Sequence, residues 1–316
     1  MATVPELPDF LQRRVHHYHR SVHNILQGPD AGRHLHVMEH GPEVEEGADA
    51  PFEGTVLMVH GNPTWSFLWR KVIDALEDFH CVAPDLLGLG YSSRLPKLED
   101  HTVERHADAV AELVTERDLG PLILVGQDWG GPIVTAVGRR VEDRVRGVVL
   151  GNTSVLLSKK PLRSLFHRAA RWPIASRVLF QGLPLVSRML HQVQGDPASI
   201  SGDVARAYRE PLSGIRDRAT PLALARMVPD GPDHPSVPEL EQLEAWIRAF
   251  SGPVELVWGT KDPILGRALR RHQKALPNAK ITTTEAGHFL QEEVPGELAA
   301  AVRRVADAIR GDSADA

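Results

Sequence analysis

A short apolar run that ends at a glycine-flanked aspartate constrains this chain more than any other feature. Residues 122–125 (Leu-Ile-Leu-Val) are continuously apolar, residues 126–130 are Gly-Gln-Asp-Trp-Gly, and apolar residues at helical spacing follow. This order predicts a buried parallel strand, a tight turn and a helix. The glycines allow Asp128 to lie on a strained turn, with its side chain exposed at the positive end of the helix. The pattern is that of a nucleophile elbow, in which serine is the usual central residue.

An aspartate at the centre of such an elbow limits the kinds of reaction that the nucleophile can carry out. A serine that attacked an sp3 carbon would form an ether, which water does not readily cleave. A carboxylate instead forms an ester, which a histidine-activated water can hydrolyse. We therefore expect displacement at an alkyl carbon, with carbon–halogen bonds or epoxides as targets. Taken alone, Asp128 also fits an ordinary turn or helix N-cap residue.

Apolar strands alternate with amphipathic segments in both halves of the chain. The predicted strands cover residues 55–60, 80–85, 122–125, 146–152, 254–259 and 280–284. Their alternation with helical segments predicts an α/β fold, a mostly parallel central sheet flanked by helices. Residues 33–38 alternate polar and apolar side chains, which predicts an edge strand in an N-terminal hairpin.

The alternation stops after the strand predicted at residues 146–152. No strand pattern occurs from about residue 153 to 230, and prolines divide this region into short helices; residues 162–183 are helical in pattern and basic. We predict an inserted all-helical cap domain at residues 153–234, which covers the ligand site. The main domain then comprises residues 1–152 and 235–316.

Residues able to carry chemistry follow the predicted strands directly. Asn62, Asp128, Asp262 and His288 each come just after a strand, and ligands of open α/β sheets bind beyond these strand ends. The order of nucleophile, acid and histidine is that of the α/β-hydrolase fold. We therefore predict Asp128, Asp262 and His288 as a catalytic triad, although Asn62 and Asp262 taken singly also fit turn residues.

Composition limits the partners and the compartment. The net charge of −5 gives no reason to expect nucleic acid or an anionic membrane as a partner. With Cys81 as the single cysteine, no intramolecular disulfide forms. The absence of a secretory signal pattern, and of any apolar run near the roughly 18 residues of a membrane span, predicts a cytoplasmic protein.

No cofactor is predicted from the motifs. Seven of the sixteen histidines lie in residues 1–53, but their spacing matches no metal-binding motif, so we predict no metal site. A nucleotide fingerprint is also missing from the glycine-containing loop at residues 86–93.

With these residues identified, the chain resembles the haloalkane dehalogenases. The similarity is specific at residues 60–65 (His-Gly-Asn-Pro-Thr-Trp), 126–131, 144–152 and 287–292, whereas in the cap only residues 207–211 match. The resemblance implies an α/β-hydrolase fold and the hydrolysis of a small halogenated hydrocarbon to an alcohol, a halide ion and a proton, without a cofactor.

The resemblance also implies a role for each site residue. Asp128 is the nucleophile that forms an alkyl-enzyme ester, His288 is the base that activates water, and Asp262 orients His288. The indole N–H of Trp129 and the side-chain amide of Asn62 bind the halide. The backbone N–H groups of Asn62 and Trp129 form the oxyanion hole.

One position assigns the chain to a subgroup of the resembled family. Asn152 occupies the position at which another subgroup carries its acid, so Asp262 takes that role here. The resemblance therefore indicates the subgroup with a late aspartate and an asparagine–tryptophan halide pair. Trp172, in the predicted cap, is an alternative halide donor.

The sequence also leaves other functions open. An epoxide hydrolase would share Asp128 and His288, but those enzymes usually protonate the leaving oxygen with two cap tyrosines, and Tyr208 is the only tyrosine in this cap. A haloacid dehalogenase would need a cationic clamp, for which the cap arginines are candidates. The absence of an early glutamate argues against a luciferase-like oxygenase. A non-catalytic binding protein would be expected to lose part of the triad.

Overall fold

The computed structural model of the protein describes residues 2–42, 52–158, 165–183 and 185–314. Its strands form one eight-stranded sheet in the order β1-β2-β4-β3-β5-β6-β7-β8. The strands are β1 His19–Asn24, β2 His34–His40, β3 Thr55–Val59, β4 His80–Pro84, β5 Leu122–Asp128, β6 Val145–Thr153, β7 Val254–Gly259 and β8 Lys280–Thr284. The mostly parallel sheet predicted from the sequence is confirmed.

The sheet is antiparallel at one edge and parallel elsewhere. β1 and β2 form an antiparallel hairpin, and β2 pairs antiparallel with β4. All pairs from β4 through β8 are parallel. The strand predicted at residues 33–38 corresponds to β2, but it is the second strand of the sheet, because β1 covers its outer side.

β5 lies in the middle of the sheet and is buried on both faces. Leu122 and Leu124 belong to one hydrophobic cluster, whereas Ile123 and Val125 belong to another on the opposite face. Since successive strand residues point to opposite faces, a strand covered on both sides has a continuous apolar sequence instead of an alternating one. The uninterrupted apolar run before the elbow is explained by this double coverage.

Helices cover both faces of the sheet. α3, α4 and α10 contribute to the first cluster, and α2, α12 and α13 contribute to the second. The helices are α1 Asp9–Val15, α2 Arg70–Asp74, α3 Val103–Glu116, α4 Gly130–Arg140, α5 Leu165–Ala169, α6 Ala175–Arg177, α7 Leu185–Arg188, α8 Gly202–Arg209, α9 Ala219–Met227, α10 Val237–Ala249, α11 Leu269–Ala275, α12 Leu290–Glu293 and α13 Pro295–Ala314. No helix in the described ranges is both long and apolar enough to span a membrane.

The chain between β6 and β7 consists, in its described part, of helices joined by loops and turns, without a strand. It contains α5 to α10, a π-helical turn at Val178–Gly182 and several short 3₁₀ turns. The helical stretch predicted at residues 162–183 begins in residues 159–164, which lie outside the described ranges. Its described remainder is divided between α5, α6 and the π-helical turn.

A buried ionic cluster joins this helical segment to helices α2 and α12, which pack on the sheet. The guanidinium of Arg70 donates two hydrogen bonds to the carboxylate of Glu292, at 2.6 and 2.8 Å. The hydroxyl of Tyr208, on α8, donates to the same carboxylate at 2.5 Å. Tyr208 is fully buried and Glu292 is only 4% exposed. A carboxylate this deeply buried needs such partners, because desolvation strongly disfavours its charge.

The stability of the fold should depend on this cluster. Replacing Glu292 with glutamine should lower the free energy of unfolding by about 3 kcal/mol, because Arg70 then stays buried without its counter-charge. Urea denaturation followed by circular dichroism measures the change.

The matched control is Glu285→Gln, which breaks the exposed pair with Lys261 and should leave the denaturation midpoint nearly unchanged. Equal midpoints for the two variants would show that the buried cluster does not stabilise the fold.

Candidate active site

The elbow holds Asp128 in an unusual backbone conformation. Asp128 is the last residue of β5, and its φ of +51° lies in the left-handed region. The turn fits because glycines lie two residues before and two residues after Asp128. A Cβ on Gly130 would lie 1.9 Å from the carbonyl oxygen of Val59, and that close approach excludes any larger residue. The turn therefore projects Asp128 beyond the strand end, next to the end of β3.

One oxygen of the Asp128 carboxylate is already held by the backbone. The N–H of Asn62 donates a hydrogen bond of 2.8 Å to Oδ1 of Asp128. Asn62 comes after β3, and β3 is paired with β5, so the neighbouring strand ends bring the two residues together. The contact places one of the two predicted oxyanion-hole donors directly against the predicted nucleophile.

The structure brings the three residues of the predicted triad together. Nε2 of His288 lies 3.5 Å from Oδ2 of Asp128, and Nδ1 of His288 lies 2.9 Å from Oδ2 of Asp262. His288 and Asp262 are buried, with 1% and 5% exposure, whereas the Asp128 side chain remains 15% exposed. The imidazole thus lies between two carboxylates, of which only Asp128 is open to a ligand.

The charges of the two carboxylates outweigh the effect of burial on the imidazole. Burial is the largest single influence on His288 and opposes its positive charge, yet Asp262 and Asp128 together raise its pKa to about 10. In the ligand-free site the imidazole is therefore protonated at neutral pH.

Asn152 is a structural residue of the site whose contacts the sequence did not reveal. Its side-chain N–H donates to the carbonyl of Gly287 at 2.7 Å, and its Oδ1 accepts the N–H of Gly259 at 2.9 Å. It thereby ties together the two loops that follow β7 and β8 and carry Asp262 and His288. Asn152 lies near the carboxyl end of β6, the end at which the other site residues were expected, and this placement is the signal that the sequence carries.

The segment at residues 193–196 holds the histidine loop from the helical side. The carbonyl of Val193 accepts the N–H of His288 at 2.8 Å. The side chain of Gln194 accepts the N–H of Phe289 at 2.9 Å and donates to its carbonyl at 3.2 Å. The Glu293 carboxylate accepts the N–H groups of Gly195 and Asp196, at 3.0 and 2.9 Å. Sequence reasoning missed these residues, because none belongs to a motif.

The two predicted halide donors have different environments. The side-chain amide of Asn62 donates one hydrogen bond to the carbonyl of Pro221, on α9, at 3.0 Å, which leaves its second N–H. Trp129 is 8% exposed, and its indole N–H makes no hydrogen bond to any residue that the structure describes. A buried indole N–H usually has a partner, so this one is available to a ligand. The alternative donor, Trp172, is 56% exposed at the surface.

His167 is a further residue near the nucleophile that the sequence did not indicate. Burial lowers its pKa to about 4, and the charge of Asp128 acts in the opposite direction, so His167 lies within electrostatic range of Asp128. Its Nδ1 is buried and has no hydrogen-bond partner within the described ranges. Helix α5 therefore presents a neutral imidazole towards the site.

Known proteins share this fold and much of this sequence. Residues 54–295 match the family model of the α/β hydrolase fold. Haloalkane dehalogenase 2 of Mycobacterium tuberculosis is 35% identical over 274 residues, which are 82% of this chain and 88% of that protein. Haloalkane dehalogenase 1 of the same organism is 31% identical over 252 residues, 77% of this chain and 81% of that protein.

Solved structures of haloalkane dehalogenases are also similar to this protein. The haloalkane dehalogenase DatA from Agrobacterium tumefaciens superposes with a TM-score of 0.77 at 27% identity, covering 92% of this chain and 97% of that chain. The haloalkane dehalogenase DbeA from Bradyrhizobium elkani gives a TM-score of 0.77 at 26% identity, covering 94% and 100%. The α/β-hydrolase fold expected from the order of the site residues is thus confirmed, and the chain belongs to the haloalkane dehalogenase family of the α/β-hydrolase superfamily.

Proposed function

We propose that the protein hydrolyses the carbon–halogen bond of small haloalkanes, with Asp128 as nucleophile, Asp262 as acid and His288 as base. The observation that carries the proposal is the elbow carboxylate with the His288 imidazole 3.5 Å away. A carboxylate nucleophile suits an alkyl carbon, because the ester that it forms can be hydrolysed. Membership of a family whose relatives are named haloalkane dehalogenases supports the same reaction.

The first step is displacement at carbon. An oxygen of the Asp128 carboxylate forms a bond to the alkyl carbon, and the carbon–halogen bond breaks with its electron pair leaving on the halide. Negative charge grows on the halogen, so neutral N–H donors aimed at it lower the barrier. The free indole N–H of Trp129 and the second amide N–H of Asn62 are suited to this role.

The second step is hydrolysis of the alkyl ester. Neutral His288 takes a proton from water, and the hydroxide oxygen attacks the carboxyl carbon of Asp128. The bond from that carbon to the alkoxy oxygen then breaks, the alkoxide leaves as the alcohol with the proton returned by His288, and the Asp128 carboxyl group ionises to its starting state. The Asn62 backbone N–H, which donates 2.8 Å to Oδ1 in the ligand-free site, is placed to stabilise the oxyanion, together with the backbone N–H of Trp129. The products are an alcohol, a halide ion and a proton.

The electrostatics provide a reason for the order of these steps. The ligand-free site holds a protonated imidazole, because two carboxylates raise the pKa of His288. Ester formation turns Asp128 into a neutral group and removes one of those two charges. The pKa of His288 then falls, so the imidazole becomes a base only once there is an ester to hydrolyse.

We also propose that residues 153–234 form a cap on a main domain of residues 1–152 and 235–316. Two hydrogen bonds and one electrostatic interaction support a cap that forms part of the site: Pro221 accepts from the Asn62 amide, Val193 accepts from the His288 backbone, and the charge of Asp128 acts on His167.

An epoxide hydrolase gains no support from the cap. Such an enzyme needs tyrosine hydroxyls that point at the leaving oxygen. The hydroxyl of Tyr208 instead donates to Glu292, and the side chain is fully buried.

Substitution of the nucleophile and the base should separate the two steps. Asp128→Ala should abolish turnover of 1-bromobutane. His288→Phe should still release about one equivalent of bromide and then stop, because the ester cannot be hydrolysed. Intact-protein mass spectrometry of His288→Phe should show the added mass of one butyl group. Wild-type turnover by Asp128→Ala would refute the covalent route.

The protonation argument is testable without substrate. In Asp128→Ala the pKa of His288 should fall below the wild-type value of about 10, since one of the two carboxylates that raise it is gone. A pH titration followed by NMR of the imidazole signals, assigned against His288→Phe, measures the shift. Asp217→Asn, which removes a carboxylate paired with Arg94, should leave the midpoint unchanged. An identical midpoint in Asp128→Ala would contradict the coupling.

The halide donors should affect the displacement step. Asn62→Ala and Trp129→Phe should each lower kcat for bromide release roughly 100-fold, because a neutral donor to the developing anion is lost. Trp172→Phe is the matched control and should leave kcat unchanged. A large loss in Trp172→Phe with little change in Trp129→Phe would exchange the roles of the two tryptophans.

A further inference from the structure

Exposed apolar side chains are concentrated on one part of the cap. Seven of the twelve large apolar residues that are exposed in the described ranges lie between Leu165 and Met189. They include Ile174 at 79%, Leu165 at 76% and Trp172 at 56% exposure. Soluble proteins rarely leave so large an apolar patch uncovered unless it binds something.

The core beneath these side chains is packed by other residues, with the exception of Phe166, whose ring centroid lies 5.0 Å from that of Phe180. The inward side of the same segment packs separately, since Ala170 and Phe180 form a small buried cluster with Leu222 and Ala225 of α9. The exposed residues therefore remain on the outside of a segment whose inner face is already packed.

The same segment is strongly basic. Residues 155–195 contain seven lysines and arginines and no aspartate or glutamate, in a chain whose net charge is −5. Arg168 and Arg177 are exposed and form no ion pair with any carboxylate of the described residues, whereas Arg171 is paired with Asp230. This segment therefore carries a local positive charge, although the net charge of the whole chain is negative. We call the exposed side chains of Leu165, Arg168, Trp172, Ile174, Arg177 and Val178 the basic apolar surface.

We propose that the basic apolar surface binds the interface of an anionic lipid bilayer. Arginines favour negatively charged headgroups, while Trp172, Ile174 and Leu165 are suited to the boundary between headgroups and acyl chains. One partner thereby accounts for both the positive charge and the exposed apolar side chains of the surface. The binding is peripheral and requires no helix that spans the membrane.

Charge distinguishes this partner from the other candidates. A symmetric contact between two copies would bring the unpaired Arg168 and Arg177 of each copy near those of the other, which like-charge repulsion opposes. A nucleic acid would satisfy the arginines through its phosphates, but would leave Ile174 and Leu165 without an apolar environment.

The position of the surface links it to the site. His167, on the same helix as Leu165, lies on the inner side near Asp128. Apolar haloalkanes dissolve in the acyl region of a bilayer, so a cap seated there would meet its substrate at raised concentration. This consequence rests on the proposed function, whereas the binding itself does not.

Vesicle binding tests the proposal directly. Wild-type protein should co-sediment with phosphatidylglycerol-containing vesicles and not with pure phosphatidylcholine vesicles. The double variant Arg168→Gln, Arg177→Gln should partition roughly fivefold more weakly for each arginine removed. The control variant Arg267→Gln, Arg270→Gln removes two exposed arginines of the main domain and should bind like wild type. Circular dichroism and bromide release without vesicles verify that each variant is folded and active.

Tryptophan fluorescence supplies an independent measurement. The other five tryptophans are at most 9% exposed, so a blue shift of emission on adding anionic vesicles should come from Trp172 and vanish in Trp172→Phe. Ile174→Ser should weaken binding, whereas Leu26→Ser, at an exposed apolar site outside the cap, should not. Equal binding to both vesicle types or none to either would overturn the proposal. The proposal would also be overturned if the protein did not bind vesicles but self-associated, or bound duplex DNA, in a way that depends on Arg168 and Arg177.

Discussion

The active site depends on one imidazole held between two carboxylates in a largely buried position. Burial alone would keep His288 neutral, but Asp262 and Asp128 reverse that tendency. In the proposed mechanism this balance is conditional, because Asp128, the carboxylate that is open to substrate, loses its charge on alkylation. The imidazole, a cation beside the free carboxylate, would then act as the base beside the ester. On this proposal the chemistry follows from the geometry of three charged side chains without a further switch.

This geometry rests on backbone hydrogen bonds made by neutral and acidic side chains from distant parts of the chain. Asn152 ties the loops after β7 and β8 together, and Gln194 and Glu293 hold the histidine loop against the helical segment. Buried backbone groups need such partners, since an unpaired one costs about as much as a lost hydrogen bond. The base is consequently positioned by the sheet and by the helical segment together.

The proposed cap shows why the composition of the whole chain is a poor guide to the charge of one surface. A net charge of −5 argued against an anionic partner, yet residues 155–195 carry only positive formal charges. Electrostatic attraction near a membrane falls off within about one Debye length, roughly 10 Å, so local charge decides binding and the remote carboxylates matter little. The exposed apolar residues of the same segment became visible only in the structure.

The sequence by itself determined the sheet, the elbow and the order of the site residues. A strand covered on both faces must be apolar throughout, and the close approach of the elbow to β3 excludes a side chain at Gly130. Each of these constraints leaves its mark within a few residues of sequence, as an apolar run or as a glycine, and can therefore be recognised in one short segment. Only the tertiary structure decided the contacts of Asn152, Gln194 and His167 and the hydrogen bond from Asn62 to Pro221. Those partners lie tens to more than a hundred residues apart, and chain folding, not local pattern, brings them into contact.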